Sequence, residues 1–277
     1  MKKLKCLLIG NCQNNGLMHY LSQSKEFNET YEMKQYTNWQ LIRNNCEVPM
    51  SDIQNADLFI FQPLKIVHGC YSTDPTVEGS IGSYVKDKCI KISYPYVFSS
   101  SMWPLFQTAL NQNIWVGGEI IEQLITDGLK KDDILELYLK NKIDWNYKNR
   151  FKKSIDILKG KESITDIKIS NFIEKNISER FLFLTPHHPT SIIFLDISNQ
   201  ILEKLGMQKL NLEENAIKNV NQVGLPDSIY SHSSNMYPLH ISFISEFDIK
   251  YGNDYLNGSQ NFYEERISNY LYLNKHE

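Results

Sequence analysis

The sequence predicts one α/β domain over residues 1–277, a mainly parallel sheet with helices on both faces and a helical insertion at residues 119–176. The runs Leu4–Ile9, Ala56–Pro63 and Arg180–Pro186 are largely apolar, as strands covered on both sides of a sheet are. Helix-like stretches lie between them, and alternation of strand and helix builds parallel sheets. A chain of 277 residues with 42% hydrophobic side chains can also bury one large core.

Leu4–Ile9 is the first strand, and Gly10-Asn11-Cys12-Gln13 after it reads as a tight turn opening a helix. The second, "ADLFIFQP", closes on Gln62-Pro63, where the proline can end the ladder. "CIKISYPYVF" at Cys89–Phe98 alternates in part and finishes in aromatics, which suits a further strand. Residues 119–176 are helix-rich and charged. "EIIEQLITDG" stops at a glycine, "KKDDILELYLKNK" begins with acidic residues that favour a helix N-terminus, and "DWNYKNRFKKSIDILKG" carries a mixed apolar face. These helices read either as an insertion between two strands or as ordinary crossovers. "RFLFLTP" at Arg180–Pro186 supplies another strand. "SIIFLDISNQILEKLG" at Ser191–Gly206 has clear helical periodicity, with Gly206 as its stop. Residues 207–277, rich in Tyr, Asn and Ser, show little periodicity and read as a C-terminal segment of loops and short elements wrapping the sheet.

Composition narrows the function. A net charge of −3 gives no electrostatic case for nucleic acid as the main partner, which favours a small molecule. The five cysteines, Cys6, Cys12, Cys46, Cys70 and Cys89, show no CxxC or Cys/His spacing, so neither a metal site nor a disulfide framework is expected. The apolar stretch after "MKK" is too short for a signal peptide, and no run reaches the roughly 20 apolar residues of a membrane span. A cytoplasmic protein with reduced thiols is the expectation.

Parallel α/β sheets bind ligands at the carboxyl ends of their strands. The Gly10–Gln13 turn, Gln62-Pro63 and "TPHHPT" at Thr185–Thr190 all fall at such ends. A thiol in the first turn of a helix meets exposed backbone N–H groups that favour its thiolate, so Cys12 is a candidate nucleophile. The same N–H groups, with the amides of Asn11 and Gln13, are candidates to hold an oxyanion, and Gly10 would permit the sharp turn. A small buried side chain is the other reading of Cys12. Of the two histidines between prolines, one is placed to act as a general base, with Pro189 in the first helical turn. Gln62 would add a polar group at the same edge, and Tyr94–Pro104 is either a pocket wall or core packing.

Taken together, Gly10-Asn11-Cys12-Gln13 after the first strand, Gln62-Pro63 after a later one, the aromatic segment near Tyr94 and His188-Pro189-Thr190 resemble the polysaccharide biosynthesis enzyme WcbI family across Lys3–Gly206. That resemblance implies a capsule-biosynthesis acetyltransferase, with acetyl-coenzyme A as donor and a sugar or glycan hydroxyl as acceptor. It implies Cys12 with His188 or His187 as catalytic residues, and Gly10, Asn11, Gln13 and Gln62 as oxyanion or positioning groups. The coenzyme's phosphates require cations, for which Lys65, Arg150 and Lys152 are candidates, with Lys86, Lys88 and Lys153 behind them. A weaker resemblance runs to the SGNH hydrolases, whose three-layer fold is of flavodoxin-like type. Their closing Asp-x-x-His is absent, because Thr185 and Pro186 precede His187 and His188, and this leaves the carboxylate partner of the histidine unassigned. Alternative functions are a thiol-dependent esterase or deacetylase of acylated glycans, and a non-catalytic glycan- or nucleotide-binding module of a capsule assembly complex. Homo-oligomerisation or capsule-assembly partners are compatible with all three.

Overall fold

A computed structural model describes residues 2–109, 112–115, 118–211, 237–251 and 259–273. Its centre is a sheet of four parallel strands, β1 (Leu4–Gly10), β2 (Tyr31–Thr37), β3 (Leu58–Phe61) and β4 (Ile90–Ser93), in the order β2-β1-β3-β4. Helices α1 (Asn14–Leu21) and α2 (Lys25–Thr30) link β1 to β2, whereas α3 (Asn38–Asn44) and α4 (Met50–Gln54) link β2 to β3. A 3₁₀ turn (Ile66–Tyr71) and α5 (Ile81–Tyr84) precede β4. The first connection runs outward to one side of β1 and the second returns across it. Right-handed crossovers therefore put α1 and α2 on one face of the sheet and α3 to α5 on the other, giving the expected three layers.

Side chains of β1 alternate between those layers. Leu7 and Ile9 pack with Phe59 against Leu41, Ile53 and Ile81 from α3, α4 and α5. Cys6 and Leu8, also fully buried, face the other way. On that side α1 packs on α10 (Ser191–Lys204), and the contact is close: a Cβ on Gly16 would lie 2.6 Å from the buried ring of Phe194. Strand β2 was not among the expected strands. Its sequence "YEMKQYT" is polar because it is a sheet edge, with only Tyr31 buried.

The chain divides into two compact units. One comprises the described parts of residues 1–97, 157–173 and 189–234 and contains the parallel sheet; the other comprises those of 98–156, 174–188 and 235–277. In the second lie the hairpin of β5 (Phe106–Ala109) and β6 (Gln112–Trp115), and helices α6 (Gly118–Thr126) and α7 (Lys131–Leu139). Helices α8 (Tyr147–Glu162) and α9 (Ser170–Asn176) follow in sequence, so the stretch read as helix-rich is helical. Gly128 and Gly206, the expected stops after α6 and α10, take the left-handed conformation that ends helices, with φ of 86° and 70°. Glu162, buried at the end of α8, accepts hydrogen bonds from the Ile169 N–H (2.6 Å) and the Ser170 N–H (2.7 Å). It thereby ties α8 to the start of α9.

Two expectations change. Arg180–Pro186 contributes only β7 (Phe183–Thr185), which pairs with the two-residue β8 (His188–Pro189) and not with the parallel sheet. The segment from residue 207, read as loops and short elements, also carries a 15-residue helix. Residues 212–236, 252–258 and 274–277 lie outside the described residues, but α11 (Ile241–Glu246) and α12 (Ser259–Leu273) flank the second of these stretches. In α12, Tyr263, Ile267 and Leu271 are buried at four-residue spacing, a helical stripe obscured by the polar residues around it. No helix among the described residues is long and apolar enough to cross a membrane.

Candidate active site

Strands β1, β3 and β4 end side by side, and the residues leaving them hold one another. The Gln62 N–H donates to Ile9 O and the Tyr94 N–H to Phe61 O, both at 2.9 Å, carrying the ladder one residue past the strands. Between β1 and β3 the winding of the sheet reverses direction, and this is the switch point at which open α/β sheets form their ligand crevice.

A closed set of hydrogen bonds fixes the Gly10–Gln13 turn at that point. Gln62 Oε1 accepts from the Asn11 N–H (2.8 Å), and Asn11 Oδ1 accepts from the Gln13 N–H (2.9 Å). The buried Gln13 side chain donates through Nε2 to Val97 O (2.6 Å), while its Oε1 accepts from the Val97 N–H and Gln62 Nε2, each at 3.2 Å. Asn14, also buried, donates through Nδ2 to Tyr36 O (3.0 Å) and accepts from the Tyr94 hydroxyl. Three polar side chains thus converge above Gly10. A Cβ there would lie 2.5 Å from Asn14 Oδ1, 2.6 Å from the Tyr94 hydroxyl oxygen and 2.9 Å from Gln62 Oε1. Gly10 is therefore required by close approach. The expected reason, a sharp turn, does not apply, because Gly10 is not among the residues with positive φ.

Cys12 sits on this scaffold, half-buried, with its carbonyl accepting the Asn15 N–H at 3.2 Å. It precedes the N-cap residue Gln13, so it stands outside α1 and not in its first turn. Burial pushes its thiol above the ordinary value, only partly opposed by its own backbone N–H. The expectation of a thiol poised as thiolate is thus corrected: desolvation outweighs the helix terminus, and the resting group is a neutral thiol. Cys6 and Cys89 are buried, Cys89 with its pKa raised to about 11, while Cys46 and Cys70 are exposed.

Gly10, Asn11, Cys12, Gln13 and Gln62 are therefore brought together. The structure adds Asn14, which the sequence reading did not single out, and bonds the Tyr94 hydroxyl, left open there between pocket wall and core packing, to Asn14 above Gly10. The signal for Tyr94 was its position just past β4, matching that of Gln62 past β3. Gln13 and Gln62 bind backbone and each other, so they hold the turn. Asn11 uses Oδ1 on the Gln13 N–H, and its Nδ2 has no protein partner among the described residues. Lys65 is exposed three residues beyond Gln62, leading into the 3₁₀ turn.

In the second unit, the His187 ring lies 4.8 Å from that of Phe98, and His188 Nδ1 is 2.8 Å from Thr185 Oγ1. Pro186 O accepts the Ser99 N–H (3.0 Å), fastening the segment after Val97 to the histidine turn. Burial, and then the neighbouring His187, lower the His188 pKa to about 4, so its imidazole is neutral at neutral pH. Pro189 does not enter a helix as expected, because Thr190 is extended and caps α10, which starts at Ser191. Arg150 is half-buried in the first turn of α8 and Lys152 exposed two residues on.

A second histidine behaves like His188. His240 is buried in the same unit, with its ring 5.2 Å from that of Tyr263 and its Nδ1 accepting the Ser242 N–H at the start of α11; burial lowers its pKa to about 4. Both imidazoles bind protons more readily when unfolded, at pKa 6.5, than when folded. Their stability contribution is complete above pH 6.5 and disappears as pH falls towards 4, on the order of 2–3 kcal/mol for each. Urea unfolding across that window is expected to show the midpoint falling. His240→Asn, which keeps an N-cap acceptor, should remove about half the slope.

Residues 5–210 match the polysaccharide biosynthesis enzyme WcbI family. A solved structure of WcbI, described as a novel polysaccharide biosynthesis enzyme and as the native protein without a disulfide bond between coenzyme A and one of its cysteines, is similar throughout. The TM-score is 0.60 at 15% identity, covering 99% of this chain and 96% of that one, a likeness of fold. No curated protein matches.

Proposed function

The chain belongs to the polysaccharide biosynthesis enzyme WcbI family, and from that premise we propose that it is an acetyl-coenzyme A-dependent O-acetyltransferase acting on a sugar of a capsule or surface polysaccharide. The observation that carries this reading is the built turn at the switch point, where a buried network holds one half-exposed thiol, Cys12. The similar solved protein is described in terms of coenzyme A and one of its own cysteines. The residues fit such a ligand: a thiol presented at the crevice, an amide donor beside it, and Lys65 exposed beyond the same edge.

An acyl thioester supplies an activated acyl group. In the double-displacement route the Cys12 sulfur attacks the acyl carbon, loses its proton and becomes acylated, and the donor leaves as its thiol. A sugar hydroxyl then displaces Cys12 while His188 accepts its proton. In the direct route His188 takes the hydroxyl proton and Cys12 lines the site. Asn11 Nδ2 is the proposed donor to the oxyanion, since its carbonyl end is committed to the Gln13 N–H. With a neutral thiol and a neutral imidazole in the resting state, Cys12 attacks through the small thiolate fraction present near neutral pH, and His188 can accept the hydroxyl proton.

Incubation with acetyl-coenzyme A plus glycan, against incubation with acetylated glycan alone, tests the reading. Transfer only in the first supports a transferase, whereas release of acetate only in the second identifies the esterase.

A further inference from the structure

Lys161 is a half-buried cation of the sheet unit to which no role is assigned above. Lys161, in the last turn of α8, lies with Nζ 4.8 Å from the centroid of the Tyr96 ring and donates a hydrogen bond to Tyr96 O at 3.3 Å. It is half-buried, and burial holds its pKa below the ordinary lysine value. No carboxylate pairs with it among the described residues. Lysines engaged in ion pairs, such as Lys140 with Glu136 or Lys250 with Glu179, are instead exposed.

Its position is fixed from both sides. The next residue, Glu162, is clamped to the Ile169 and Ser170 N–H groups, which sets the end of α8. Tyr96 stands between Tyr94, whose hydroxyl roofs Gly10, and Val97, whose backbone the Gln13 side chain grips on both polar atoms. Tyr96 is therefore carried by a segment bound to the Gly10–Gln13 turn on both sides of it. Lys161 is thus seated on the residue between two that grip the Gly10–Gln13 turn, on a platform built by the same network that holds Cys12. An ammonium has three N–H donors. The Tyr96 carbonyl takes one and the ring face offers only a diffuse negative surface, leaving donors for an anion.

We propose that Lys161, seated on Tyr96, is the anion-binding group of the Cys12 site and takes a phosphate. A compact ammonium is suited to phosphate as a point charge, and its half-burial strengthens the attraction by excluding water. Under the reading given above, on which this assignment rests, the phosphate belongs either to the coenzyme or to a phosphorylated sugar acceptor. If Lys161 instead only covers the last carbonyls of α8, its charge matters to helix stability and not to ligands.

Calorimetric titration of the full chain and of Lys161→Met and Lys161→Arg separates these cases, with coenzyme A, phosphate-free pantetheine and glucose 1-phosphate as probes. If the coenzyme is the source, Lys161→Met weakens coenzyme A binding by about tenfold or more and leaves pantetheine unchanged, while Lys161→Arg retains most of the affinity. If the acceptor is the source, coenzyme A binding is unchanged and glucose 1-phosphate binding is lost in Lys161→Met. Binding of both phosphate probes at wild-type strength by a folded Lys161→Met variant overturns the proposal. Should the wild-type chain bind glucose 1-phosphate through Lys161 but no coenzyme A, the transferase reading fails and this assignment stands.

Discussion

Cys12→Ala is expected to lower acetyl transfer by about a thousandfold or more if the thiol carries the acyl group, because removing a covalent nucleophile removes the route and not merely a contact. The fold should tolerate the change. Cys12 is half-buried, and the side chains that secure its turn belong to its neighbours. Steady-state turnover with acetyl-coenzyme A and glycan measures the loss, and intact mass after mixing with acetyl-coenzyme A alone should show an acetyl adduct on wild type that is missing from the variant. Full activity in Cys12→Ala would eliminate the double-displacement route and leave His188 as a direct base. Because burial raises the thiol pKa, adduct formation by wild type should accelerate as pH rises above neutrality, where more thiolate is present.

Gly10→Ala should damage stability and site together. The new methyl would displace the Asn14, Tyr94 or Gln62 oxygens, all on buried side chains and all bonded within the network. Overpacking costs about 1–3 kcal/mol, and a disrupted buried hydrogen bond a further 1–3 kcal/mol. Against this, replacing glycine gains only about 0.4–1 kcal/mol from the unfolded chain. A net loss of roughly 2–4 kcal/mol is therefore expected in urea unfolding, with faster thiol labelling at Cys12 as the turn loosens. Gly160→Ala is the matched control: it lies within α8 with open space where its Cβ would be, so the same substitution should be neutral or stabilising by up to about 1 kcal/mol. Equal losses at the two glycines would show that the convergence above Gly10 is not what matters.

Several parts of this fold were readable because they depend on local chemistry. Leu4–Ile9 and Leu58–Phe61 are central strands, so their burial on both faces writes itself as an apolar run. Helix α10 shows its buried stripe and its glycine stop in sequence order. Strand β2 was illegible because an edge strand presents polar residues to water, and α12 because Tyr263, Ile267 and Leu271 are spaced among polar residues. "RFLFLTP" misled because an apolar run reports burial and not which partner provides it.

The site divides in the same way. Residue order alone established that a thiol, two amides and a glycine leave the first strand in one turn, and that a Gln-Pro pair leaves another. The tetrapeptide and the later histidine turn were enough to mark the family resemblance, since these features are contiguous. Folding decided how each is used. Pairing of β1 with β3 brings Gln62 to Asn11 across 51 positions, and β4 brings the Tyr94 hydroxyl and the Val97 backbone within reach of Asn14 and Gln13. These contacts turned two expected substrate amides into braces and left Asn11 with the available donor. They also made Gly10 a matter of space. Desolvation then reversed the expected sign at the Cys12 thiol, because a pKa depends on the water that distant segments exclude, which no local stretch of sequence records.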